Sequence, residues 1–167
     1  DSGSRLKSEL VTENSVQLLK ELHLLTNQGQ LNSDARRKIK QVNHLYNLLA
    51  PALQEISSRH PDFQIVDVGA GKGYLGFMIY EIALKNSTLG KILSIEERKE
   101  LVTSAKAMAD RLKFDRMYFQ AAKIEEAIMP DRVHLVTALH ACDTATDDAL
   151  IMGIERQADF IAVVPCC

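Results

Sequence analysis

The sequence predicts an α/β fold, an open parallel sheet covered by helices and preceded by a helical extension. Three observations predict it. From residue 62 onward, short apolar runs alternate with amphipathic stretches. The turn Gly69-Ala70-Gly71-Lys72-Gly73 joins the first apolar run to the first such stretch. Polar and reactive residues gather at the ends of successive runs, at Asp67, Glu96, His140 and Pro165-Cys166-Cys167. Alternation of strand and helix implies parallel strands with crossover helices. Ligands of such sheets bind outside the carboxyl ends of the strands, at the switch in strand order.

The elements follow in chain order. Leu6, Leu10, Leu18, Leu22 and Leu25 suggest one or two helices ending near Asn27-Gln28-Gly29. Ser33 is a candidate cap for the next helix. That helix carries Ile39, Val42, Tyr46 and Leu49 on one face and Arg36, Lys40 and His44 on another, with Arg37 and Lys38 beside them. Pro51 is expected to end it or to begin a short following one. The chain divides near His60-Pro61-Asp62, into a helical N-terminal extension over 1–60 and a ligand-binding domain over 61–167. Strands are expected at 63–68, 91–95, 116–120, 132–139 and 159–164. Helices are expected at 73–86, 97–112 and 145–157, with a short turn near 123–128.

Composition narrows the function classes. Charge is near balance, with a formal net of −2, so no strongly basic surface advertises nucleic acid. The basic helix face reads first as a solvated face and second as a contact for a phosphate backbone. No apolar run is long enough to cross a bilayer, and no signal peptide is visible. Three cysteines, two of them adjacent, do not make a secreted disulfide framework, and a cytoplasmic setting is the expectation.

The glycine turn carries the first chemistry. Glycines at alternate positions let the backbone turn tightly and approach a ligand without a Cβ in the way. The helix behind such a turn offers N–H groups to polar or anionic atoms. Nicotinamide and flavin sites favour G-x-G-x-x-G. Here the spacing is G-x-G-x-G directly after Asp67. Lys91-Ile92-Leu93-Ser94-Ile95-Glu96 reads as a second strand ending in a carboxylate, which suits the two hydroxyls of a ribose. Glu97 is expected in the first turn of the following helix.

These residues resemble the first motifs of the Rossmann-like, class I S-adenosylmethionine (SAM)-dependent methyltransferases. The resemblance implies the strand order 3-2-1-4-5, with the last strands of the full fold absent, and a truncation after strand five. It implies SAM as cofactor, held at Asp67, Gly69, Ala70, Gly71, Gly73 and Glu96. Class members often place an Asp after strand three to meet the adenine. Here Ala121-Ala122-Lys123-Ile124 supplies none, so the backbone at Ala122 would take that place. Two further pieces, Ala138-Leu139-His140-Ala141-Cys142-Asp143 and Pro165-Cys166-Cys167, resemble a bacterial branch of this family. That branch is similar to the eukaryotic glutathione S-transferase C-terminal-domain-containing proteins and, distantly, to a tRNA ribose 2′-O-methyltransferase.

The resemblance implies a methyltransferase of unassigned acceptor, RNA among its candidates, with His140, Asp143 and Cys166 as catalytic candidates and His140 also beside the cofactor. His140 or Asp143 suits removal of a proton from a hydroxyl or amine acceptor. Cys166 suits a covalent adduct on a carbon acceptor. The bland reading has the thiols packed as small hydrophobes. Zinc is set aside, because adjacent cysteines chelate one ion poorly and no C-x-x-C is present. A SAM-binding module without catalysis is the alternative from another function class. Oligomeric state is left open.

Overall fold

The computed structural model describes residues 15–26, 28–141 and 144–165. Five parallel strands form one sheet, β1 (Gln64–Val68), β2 (Lys91–Glu96), β3 (Met117–Ala121), β4 (Leu135–Ala141) and β5 (Phe160–Pro165), in the order β3-β2-β1-β4-β5. Each falls within a few residues of its expected position, and the order is the one the resemblance implies. The strand order reverses at β1, whose neighbours are β2 and β4. The crevice that such a reversal opens lies at the carboxyl ends of these strands.

The inner strands β1, β2 and β4 are buried on both faces, which is why they read as near-continuous apolar runs, while the edge strands β3 and β5 are partly exposed. Ile65, Ile92, Met117 and Leu135 face one core with α1 (Val16–Glu21), α2 (Ser33–Arg59), α3 (Tyr74–Ile79) and α4 (Lys99–Leu112). Val66, Val68, Leu93, Ile95, Val136 and Ala138 face the other, under α5 (Thr144–Glu155). Neighbouring strand residues therefore serve opposite layers.

Several expectations need correction. The chain leaves α1 at Glu21, well before Gly29, with His23 at φ +56°, and Leu25 then pairs with Leu31. Leu6 and Leu10 lie outside the described residues. Asn32, not Ser33, caps α2, its Oδ1 accepting the Ala35 N–H at 2.7 Å. Pro51 does not end that helix, which runs unbroken for 27 residues. Its ring is exposed, so the Asn47 carbonyl, four residues back, loses its donor on the solvent side, where water can serve it. Glu97 stands before the Arg98 cap of α4, and Glu100 is the acid of the first turn.

The helix expected over 73–86 is regular only to Ile79 and continues as a π-turn over Tyr80–Leu84, where the Lys85 N–H reaches the Tyr80 carbonyl at 2.7 Å. Tyr80 thereby stacks on Phe114, with ring centroids 4.2 Å apart. Arg116 collects the loop that follows, donating to the carbonyls of Leu84, Ser87, Leu89 and Gly90.

Candidate cofactor site

The site begins with the turn after β1. Gly69, Gly71 and Gly73 take φ of +62°, +58° and +83°, a region that strains any residue with a Cβ. A Cβ at Gly69 would meet nothing within 4 Å, so the turn opens onto space. The turn is tied to the neighbouring strand, because the Ala70 N–H donates to the Ile95 carbonyl at 3.0 Å. Gly76, one turn into α3, admits the helix close to the sheet, where its Cβ would sit 3.1 Å from Met117 and 3.4 Å from Ser94 Oγ.

The turn forms one side of a cleft of 620 Å³ at the carboxyl ends of β1, β4 and β5. Asp67 lines this cleft from β1, and Leu139 and Val164 line it from β4 and β5. The opposite wall is α2, through Lys38, Gln41, Val42, His44 and Leu45. Helix α2 is thus part of the cleft. Lys38 stands 5.7 Å from the centre of the Tyr74 ring and 2.8 Å from the Asp34 carboxylate.

Two carboxylates differ sharply in state. Asp67 is buried and, among the described residues, accepts the Thr137 hydroxyl at 2.9 Å. Burial pushes its carboxyl up to about 7, and that hydrogen bond only partly offsets the rise. Glu96, at the end of β2, is held below its ordinary range, first by the Arg98 side chain and then by backbone N–H groups of Arg98 and Gly71. It accepts from Gly71 N at 3.3 Å, Arg98 N at 2.8 Å, and Arg98 Nε and Nη2 at 3.1 Å each.

The structure brings Asp67, Gly69, Ala70 and Gly71 together on the cleft, with Glu96 bonded to Gly71 and Gly73 capping α3. The Ala122 N–H is already given to the Glu96 carbonyl at 3.1 Å, so only its carbonyl is left for a ligand. His140 lies in β4, where the pairing with β5 shifts register between Leu139 and Ala141. Such irregularities recur beside active sites. Asp143 and Cys166 lie outside the described residues, as does the Cys142 and Cys167 chemistry.

Sequence reasoning missed Thr137, Arg98 and the α2 wall. Thr137 is a lone hydroxyl in an apolar strand, and that was its only signal. A separate cluster, His60, His134 and Asp159, sits at the opposite end of the sheet, with ligand atoms within 4.8 Å of one another. His134 Nδ1 accepts the Gln64 N–H at 3.0 Å, so its proton is on Nε2 and no lone pair is free for a metal. Arg132 Nη2, 2.8 Å from the Asp159 carboxylate, supplies the cation there. The cluster reads as a clasp between the end of α2 and the starts of β4 and β5.

Residues 37–167 match the family described as a methyltransferase domain. The chain belongs to that family. The methyltransferase domain is also similar to the mouse glutathione S-transferase C-terminal domain-containing protein, 31% identical over 142 residues that cover 84% of this chain and 20% of that one. The human counterpart is 30% identical over 142 residues, with the same coverage. The domain thus spans about a fifth of the length of these relatives. Among solved structures, an rRNA methylase from Streptococcus thermophilus shares the fold, with a TM-score of 0.51 at 12% identity, over 66% of this chain and 63% of that one. Among the described residues no helix is long and apolar enough to cross a membrane.

Proposed function

We propose that the methyltransferase domain binds S-adenosylmethionine in the cleft between the glycine turn and α2, and transfers its methyl group to an acceptor that enters over the α2 wall. The observation that carries this reading is a left-handed glycine turn joined by a hydrogen bond to a strand-end carboxylate, Gly71 N–H to Glu96 Oε1 at 3.3 Å. The residues fit the group. Gly69 presents no Cβ to the cleft, Glu96 is an acid suited to a ribose diol, and the buried Asp67 lines the same cleft. When bound, SAM supplies an already activated methyl. The chain then has to hold the donor, position the acceptor and accept a proton where the acceptor carries one.

In this reading Glu96 holds the ribose, the backbone of Gly69, Ala70, Gly71 and Gly73 shapes the path of the methionine portion, and Ala122 offers a carbonyl to the adenine. His140, Asp143 and Cys166 complete the acceptor side. His140 or Asp143 removes the proton of a hydroxyl or amine, and Cys166 becomes essential only where a carbon needs an adduct. Lys38, which is paired with Asp34, and His44 put N–H donors on the cleft wall, and RNA is one candidate acceptor that such donors could meet.

Two outcomes test the reading. Gly71→Val is expected to abolish binding of S-adenosylhomocysteine, the demethylated product, with helical content retained, because a branched residue is strained at φ +58° and its Cβ lies on the Arg98 side of the turn. Normal binding in that variant would take the turn out of the site. Tritium transfer from labelled SAM by the full-length protein, followed into RNA, protein and small-molecule fractions, is expected to label one fraction, with RNA first in line. Cys166→Ser inactive beside an active His140→Ala identifies the adduct route, and the reverse identifies proton removal. Cofactor binding with no transfer to any fraction would leave a binding module.

A further inference from the structure

Glu96 is saturated by its own chain. Its Oε1 accepts from Gly71 N and Arg98 Nη2, and its Oε2 from Arg98 N and Arg98 Nε. A carboxylate offers about four lone-pair sites. Half of them are taken by the side-on guanidinium, at 3.1 Å for each nitrogen. That side chain is only lightly held. It is 60% exposed and makes no cap hydrogen bond to α4. It lines the cleft, and its Nη2 lies 3.9 Å from where a Cβ at Gly71 would stand. Glu97 and Glu100, both exposed, also act on its charge. The guanidinium thus has a second acidic neighbourhood to move to.

We infer that Arg98 is a built-in competitor for the ribose-binding acid, closing Glu96 in the empty domain and swinging toward Glu97 and Glu100 when a vicinal diol replaces it. The inference rests on the cleft being the cofactor site. The exchange is one for one in donors. Two ribose O–H groups replace Nε–H and Nη2–H, while the N–H groups of Gly71 and Arg98 stay on the carboxylate. The backbone half of the subsite is therefore preformed. In the empty state the arginine spares the domain an unpaired buried carboxylate. In recognition it acts as a filter, because a ligand without both hydroxyls cannot repay the displaced bonds.

The test uses S-adenosylhomocysteine, whose sulfur is an uncharged thioether and whose α-ammonium and α-carboxylate charges cancel, so that Arg98's field on a cationic sulfonium does not enter. Calorimetric titration of the whole chain is expected to give about 3- to 10-fold tighter binding for Arg98→Ala than for the wild type. Raising the salt from about 0.05 to about 0.5 M is expected to tighten wild-type binding and leave the variant unmoved, because screening weakens the exposed pair. Affinity in Arg98→Ala that is unchanged or weaker overturns the inference. A second readout is the Arg98 Nε–H signal by nitrogen-15 NMR, protected from exchange in the empty wild type, unprotected in Glu96→Gln, and unprotected again in the saturated complex. Protection that persists in the complex also overturns it. Failure of the cofactor reading looks different: wild type, Arg98→Ala and Glu96→Ala all give no heat, which removes the competitor role along with the site.

Discussion

Asp67 shows how one residue couples the site to stability. Its carboxyl titrates near 7 in the folded chain, against an ordinary value of 3.8. Between about pH 4 and pH 7 the folded state holds a proton that the unfolded state has lost. Stability therefore falls as pH rises through that window, and levels off above it. Asp67→Asn keeps an oxygen for the Thr137 hydroxyl and never ionises. The empty variant is expected to be more stable than the wild type at pH 8, by roughly 2–4 kcal/mol, and to lose most of the advantage at pH 4.5. Thermal melts at the two pH values check this, and parallel curves would show that Asp67 is not buried as described. The sequence showed Asp67 as the end of an apolar run, and its place in the glycine motif was legible. Its state was not, because burial by the assembled sheet and helices sets it, and the hydroxyl that partly offsets that burial comes from Thr137, seventy residues further along and adjacent only through the β1–β4 register.

Helix α2 carries the lesson at the scale of elements. Its apolar stripe, Ile39, Val42, Tyr46 and Leu49, was legible, and it extends through Leu53 and Ile56. The reading failed at Pro51 because proline's usual effect is a property of the backbone, whereas the stripe on both sides of it buries into one core and outweighs a single missing donor. Pro51→Ala restores a donor for the Asn47 carbonyl and is expected to stabilise the chain by roughly 1–3 kcal/mol. Cofactor affinity should not change, since the cleft wall spans Lys38 to Leu45. A lower melting temperature would mean that the local geometry is built around the ring. Arg116 is the contrasting case, an ordinary surface-looking residue whose guanidinium gathers the loop after α3. Arg116→Ala is expected to cost about 2–3 kcal/mol and to leave ligand affinity in the folded fraction intact. Denaturant melts with and without ligand separate the two effects.

At the scale of the whole molecule, the sheet was the most legible part. Strands buried on both faces must be apolar throughout, so their positions show as runs, and crossover connections make them parallel. The strand-end residues were legible for the same reason, since Asp67 and Glu96 stand where the runs stop. The far wall of the cleft was not. Nothing in residues 38–45 says that this stretch lies across the glycine turn, because that contact arises only when α2 packs on the sheet. Nor was the pairing of Glu96 with Arg98 legible, since two residues of sequence separation allow many side-chain directions. What the assembled fold provides is a preformed cleft with a glycine floor, a paired acid and a helix roof. The central claim is that this cleft holds the adenosyl cofactor. The most direct measurement is a calorimetric titration of S-adenosylhomocysteine into the wild-type chain and into Glu96→Ala. Saturable one-to-one binding in the wild type, weakened by about 1.5–3 kcal/mol in the variant, is the predicted result. Equal affinity in the two proteins, or no binding to the wild type, would contradict it.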